Sequence, residues 1–205
     1  LAAIMPVTVQ TEAATIPGVT VEMYGRNALK SMPNSEALLY AYDQIVEGVE
    51  NCDAEISVYD GVHPLTQAEL TMVMDVYGRD YTYHFWLGNQ YAISYNSQTM
   101  LRMMPNYLFE ESELEGKQEI FYNAAEKILS GITPGMSDYQ KELYLHDALA
   151  SRVSYVKTAS NRHNAYGALV EGQAVCEGYA EAYQYLLQRC GIQSFMIEGM
   201  SNPPG

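Results

Sequence analysis

The chain has 205 residues, 48% of them hydrophobic, enough to bury the core of one large or two small domains. Its 11 Lys and Arg stand against 25 Asp and Glu, and a formal net charge of -14 repels phosphate backbones and anionic membrane surfaces, which argues against nucleic acid as a partner. The three cysteines, Cys52, Cys176 and Cys190, include no CxxC pair and form no disulfide framework; at most one disulfide is possible.

The run Leu1-Ala2-Ala3-Ile4-Met5-Pro6-Val7, followed by the small-x-Ala pattern of Thr11-Glu12-Ala13, reads as the end of a signal peptide. Residues 1–15 are therefore expected to be a signal-peptide remnant or tail of a secreted protein, with a short strand as the alternative. No run reaches the ~18 apolar residues of a membrane span. Asn34-Ser35-Glu36 opens a helix with Leu38, Tyr42, Ile45 and Val49 on its apolar face, and 54–59 alternate like a short strand. Thr66-Gln67-Ala68-Glu69 is a capping box whose helix ends near Gly78. Residues 81–87 and 91–95 are aromatic and strand-like, with a turn at Asn96-Ser97 leading into a strand over 99–103. Met100, Met103 and Met104 are read as core filler rather than a metal surface.

A long helix is expected over 111–129, closed by Gly131, and the break at 133–135 marks the boundary between an N-terminal α+β region (16–133) and a C-terminal unit (134–205). A second capping box, Ser137-Asp138-Tyr139-Gln140, opens a helix with Leu143, His146, Leu149 and Val153 on one side. Residues 161–164 read as a polar loop. The last helix starts near Cys176 and ends at Cys190, with Gly191 in the C-terminal capping place. Its inward stripe is expected to be Tyr179, Ala180, Tyr183, Leu187 and Cys190, with Cys176 pointing the same way, and Glu177, Glu181, Gln184 and Gln188 outside it.

Cys176 is the candidate nucleophile. A helix start offers free amides and the positive end of the dipole, which favour a thiolate and can hold an oxyanion. Ala174, Gly178 and Ala180 leave room for other elements to approach, while Glu177 opposes a thiolate unless it points away. Cys190 lies at the unfavourable end of the same helix, ~21 Å along its axis and too far for a disulfide to Cys176. Cys190 and Cys52 are read as core.

The segment Gly172 to Ile192, GQAVCEGYAEAYQYLLQRCGI, closely resembles the nucleophile segment of transglutaminase-like proteins, a superfamily that includes transglutaminases, peptide N-glycanases and bacterial cysteine proteases. The matching positions are Val175-Cys176, Gly178-Tyr179-Ala180, Tyr183, Leu186-Leu187 and Gly191-Ile192. Upstream, Leu145-His146-Asp147, Val153 and Tyr155, and the lead-in Ala165-Tyr166-Gly167-Ala168-Leu169, resemble the same family, so the resemblance covers about 137–199. The region before it resembles, less specifically, segments that precede this domain in secreted proteins of Gram-positive anaerobes.

The resemblance implies an α+β fold with a papain-like core, in which the Cys helix packs on an antiparallel sheet whose first strand is 192–198. It also implies acyl transfer through a Cys176 thioester on a peptide or glutamine carboxamide, in a secreted or cell-surface bacterial protein acting on protein or peptide substrates, cell-wall and surface proteins included. No cofactor or metal is expected. The family's His and Asp partners, in a His-Ala-Trp-Asn type stretch and beyond, have no counterpart in this sequence, so these residues alone are expected not to turn over. His163 is in principle within reach of Cys176; His146, His63 and His84 are read as structural. The alternative to an enzyme is a catalytically incomplete binding or structural module on the same fold.

Overall fold

A computed structural model describes residues 13–16, 19–197 and 199. Most of the expected signal-peptide remnant lies outside the described residues. Its last part, from Ala13, stands in strand β1 (Ala13–Ile16), paired antiparallel with β2 (Val19–Glu22). The protein is α+β.

A short helix, α1 (Tyr24–Leu29), leads into α2 (Ser35–Glu50), which buries the expected Leu38, Tyr42, Ile45 and Val49 together with Ala37, Ala41 and Gly48. The expected strand over 54–59 is reduced to β3 (Ile56–Ser57). Helix α3 (Gln67–Asp80) starts at the predicted box: the Glu69 amide donates to Thr66 Oγ1 at 3.2 Å, and the Thr66 amide donates to Glu69 Oε2 at 2.8 Å. The helix runs two residues past Gly78 because Asp80 has a buried task. Its carboxylate accepts the Gly25 and Arg26 amides and the Tyr42 hydroxyl, which pins α1 and α2 to α3.

β4 (Leu87–Asn96) and β5 (Thr99–Tyr107) form a hairpin turned at Ser97, and β3 pairs on the far side of β5, giving the order β3-β5-β4. The strand expected over 81–87 begins only at Leu87. A strand in this setting alternates its faces, but every side chain from Tyr81 to Trp86 is buried. The backbone instead curls through turns, the His84 amide donating to the Tyr81 carbonyl and the Leu87 amide to the His84 carbonyl.

The C-terminal elements are α4 (Glu111–Leu129), α5 (Asp138–Ala150), β6 (Ser154–Tyr155), a π-helical turn (Gly167–Glu171), β7 (Gln173–Ala174) and α6 (Cys176–Arg189). The second capping box is present at Ser137 and Gln140. Two helix faces differ from expectation. On α5, His146 and Leu143 are exposed, and Leu145 and Leu149 face inward. On α6 the buried residues are Gly178, Ala182, Gln184, Tyr185, Leu186, Leu187 and Gln188.

The two glutamines misled the periodicity reading. Gln184 and Gln188 are 4% and 3% exposed, and Gln184 is held inward because its Nε2 donates to the Arg79 carbonyl at 2.6 Å. The Tyr179 and Tyr183 rings stay half-buried because their hydroxyls reach backbone carbonyls of α5 and its C-terminal turn: Leu149 and Val153 for Tyr179, Glu142 for Tyr183.

The core is one continuous cluster of buried side chains from Met23 to Ile192, so it crosses the 133–135 break. Phe85 is its hinge piece, with ring centroids 4.8 Å from both Phe121 of α4 and Tyr166; Phe121 in turn lies 5.0 Å from Tyr185 of α6. The Trp86 indole N–H donates to the Val49 carbonyl, tying the same loop to α2. Residues 192–197 form no strand. A strand needs a neighbour to take its amides and carbonyls, and no described strand runs beside this segment, where Phe195 and Ile197 are 59% and 77% exposed.

Candidate active site

Cys176 is the first residue of α6, and its side chain is exposed rather than turned into the core. The reason is angular. At 100° per residue, Cys176 stands opposite Tyr185, the centre of the buried face. The residue before it, Val175, is extended at φ -100° and ψ -176° and supplies no capping side chain, so the N-cap position takes none of the first-turn amides.

The approach to Cys176 is rigidly built. β7 runs parallel to β6, the Ser154 amide donating to the Gly172 carbonyl at 2.8 Å and the Val156 amide to the Ala174 carbonyl at 3.1 Å. Gly172, at φ +65°, ends the π-helical turn and starts this short strand. From the other side, the Val175 amide donates to the Arg162 carbonyl at 2.9 Å, fastening the polar 161–164 segment across the helix start.

Gly178 explains the tight fit of that segment. A Cβ there would lie 2.6 Å from the Arg162 carbonyl oxygen and 2.8 Å from that of Asn164. The glycine two residues after Cys176 therefore lets backbone cross the first turn of α6. Below it, the Ala165 amide donates to Glu181 Oε2 at 3.0 Å. Burial first, and then the charge of Glu177, hold the Glu181 carboxyl well above the usual carboxylate range.

The four histidines are dispersed. His163 meets the first turn of α6: its Nδ1 lies 2.7 Å from Glu177 Oε2, so Glu177 is engaged by the 161–164 segment. His146 is exposed beside Asp147. His63 bridges Asp60 and Glu36 at 2.7 Å each, and hydrogen bonding to Asp60 raises its pKa while the same bond lowers Asp60 to about 2. His84 is buried against the Tyr77 hydroxyl at 2.6 Å, and burial pushes it down to about 3. Its Nε2 stands 4.0 Å from Glu50, which is no ion pair because the buried ring is neutral. Cys52 and Cys190 are half-buried free thiols, both pushed up chiefly by burial. Among the described residues, no cluster of His, Cys, Asp and Glu has the arrangement of a metal site, and no helix is long and apolar enough to cross a membrane.

A cleft of about 470 Å³ opens beside the first turns of α6. Glu177, Glu181 and His163 form one wall; Asp75 and Arg79 of α3 and the start of β4 form the other. Sequence reasoning did not find this cleft, because its two walls lie about a hundred residues apart and share no local pattern. Cys176 is not part of its lining. A second hollow, of about 580 Å³, lies between the start of α3 and the β4–β5 turn, and no Cys, His or carboxylate lines it.

The lead-in strand, the exposed cysteine at the helix start and the glycine that admits backbone behind it coincide with the family comparison. The model of the transglutaminase-like superfamily matches residues 124–205. Over these residues the chain is similar to the transglutaminase-like superfamily. The match takes in α5, the π-helical turn and the whole of α6, and it begins within α4, before the 133–135 break. No curated protein matches the chain.

Proposed function

We propose that the protein is a thiol acyltransferase of transglutaminase-like type, with Cys176 as the nucleophile. The single observation that carries this is the exposed Cys176 at the uncapped start of α6, inside a segment matched by the superfamily. The Cys176 sulfur attacks the carbonyl carbon of a peptide or glutamine carboxamide. The oxyanion of the tetrahedral intermediate is met by first-turn amides of α6. The C–N bond then breaks, the amine or ammonia leaves with the proton from the thiol, and a thioester is left on Cys176. An amine or water completes the transfer, giving cross-linking in the first case and hydrolysis in the second.

The family resemblance places the proton-carrying His after the Cys helix on a papain-like sheet, and none of His63, His84, His146 and His163 follows Cys176 in the sequence. The second reading is a binding or structural module on the same fold. A secreted or cell-surface bacterial setting, with protein or peptide substrates, belongs to the same proposal and is supported by the apolar run of residues 1–7 with the small-x-Ala pattern after it.

The test is an acyl trap. The protein is incubated with a fluorescent activated ester of a glutamine-like acyl group, and intact mass is read before and after hydroxylamine. A Cys176-dependent, hydroxylamine-labile adduct is the expected result. No adduct, or one equally abundant in Cys176→Ala, moves the assignment to the binding module.

A further inference from the structure

We propose that the cleft beside α6 is a recognition subsite for an extended peptide bearing a lysine or arginine side chain, with Asp75 and Glu177 receiving the cation and the outer edge of β4 receiving the main chain.

Three features point to this occupant. First, two exposed carboxylates, Asp75 and Glu177, face the cleft against the single guanidinium of Arg79, and the chain's net charge of -14 adds a long-range field of the same sign. Second, Thr82 is 3% exposed, lines the cleft, and its Oγ1 has no hydrogen-bond partner among the described residues. A buried hydroxyl without a partner costs free energy that a ligand polar group recovers. Third, β4 is an edge strand, and its register against β5 slips between Leu87 and Tyr91. Residues 88 and 89 of that irregular stretch, together with Tyr91, line the cleft. Edge amides and carbonyls are the groups an extended peptide pairs with.

Because Cys176 does not line the cleft, the basic side chain is a specificity element and not the reacting group. The proposal rests on the acyl-transfer reading only for the identity of the ligand as a peptide.

The test is equilibrium binding, so that it is independent of turnover. Fluorescein-labelled peptides differing at one position, Lys against norleucine against Glu, are titrated with the full chain carrying Cys176→Ala, and anisotropy is read at low and high salt. The Lys peptide is expected to bind about tenfold more tightly than the norleucine peptide, and added salt is expected to shrink that margin. Asp75→Asn, at an exposed helix position, is expected to reduce the Lys preference at least about threefold. Glu119→Asn, an equal charge change on the exposed face of α4, is expected to leave it unchanged. Equal affinity for Lys and norleucine, a preference for Glu, no binding at all, or equal loss in Asp75→Asn and Glu119→Asn would each overturn the proposal. If binding follows charge as stated while no acyl adduct forms, the subsite stands and the enzyme reading falls. An acyl adduct with charge-blind binding gives the reverse.

Discussion

The imidazole Nδ1 of His163 lies 2.7 Å from Glu177 Oε2, one residue past Cys176 in α6. The contact joins the 161–164 segment to α6 through side chains, beside the backbone bond from Val175 to Arg162. The two side chains are 52% and 45% exposed, so solvent screens the attraction. Glu177→Gln is therefore expected to cost less than about 1 kcal/mol in urea unfolding. A larger loss would mean that this pair, and not the backbone bond, holds the segment in place.

Gly178→Ala is expected to be far more damaging than its size suggests. The added methyl would meet two backbone carbonyl oxygens at 2.6 and 2.8 Å, and backbone cannot swing aside as a side chain can. A loss of about 2 kcal/mol or more in chemical denaturation is expected. Gly116→Ala in α4, where a Cβ meets nothing within 4 Å, is the control and is expected to be neutral or slightly stabilising.

Alkylation separates the three thiols. Cys176 is exposed, whereas Cys52 and Cys190 are half-buried and pushed up by burial. Brief iodoacetamide treatment at neutral pH, read by peptide mass spectrometry, is expected to label Cys176 first. Labelling of Cys190 at an equal rate would show that the last turn of α6 opens on the same timescale.

His84 gives a pH signature. Burial lowers it from 6.5 to about 3, so the folded protein keeps the ring neutral while the unfolded chain takes up a proton. Stability is therefore lost as pH falls below 6.5. Between pH 6.5 and 5 the loss from this group is expected to be about 2 kcal/mol. His63 acts in the opposite sense: its contribution is complete below 6.5 and disappears as pH rises through its raised folded value. His84→Gln is expected to flatten the acid limb of the unfolding profile; an unchanged slope would show that other groups set it.

Local chemistry made much of the fold readable. Both capping boxes, the stripe of α2, the bounds of α4 and the start of α6 at Cys176 follow from hydrogen-bond partners three residues apart and from 3.6-residue periodicity. What failed was decided at long range. The inward Gln184 is explained by the Arg79 carbonyl, the curled 81–86 segment by burial on every side, and the bare 192–197 segment by the lack of a neighbouring strand. The site was legible to the extent that family pattern and helix start coincide at Cys176. His163 was visible only as a nearby ring, and its carboxylate partner only after folding.

The short parallel ladder of β6 and β7 bears on the order in which the molecule assembles. Three ties around Cys176, Ser154 with Gln173, Arg162 with Val175 and Ala165 with Glu181, each span fewer than about twenty residues, so closing these loops costs little chain entropy. The bond from Gln184 to Arg79, by contrast, spans 105 residues. Topology of that kind lets the start of α6 and its lead-in form early and leaves the cleft to close last, when α3 docks. Destabilising α3 should then empty the cleft while the setting of Cys176 persists.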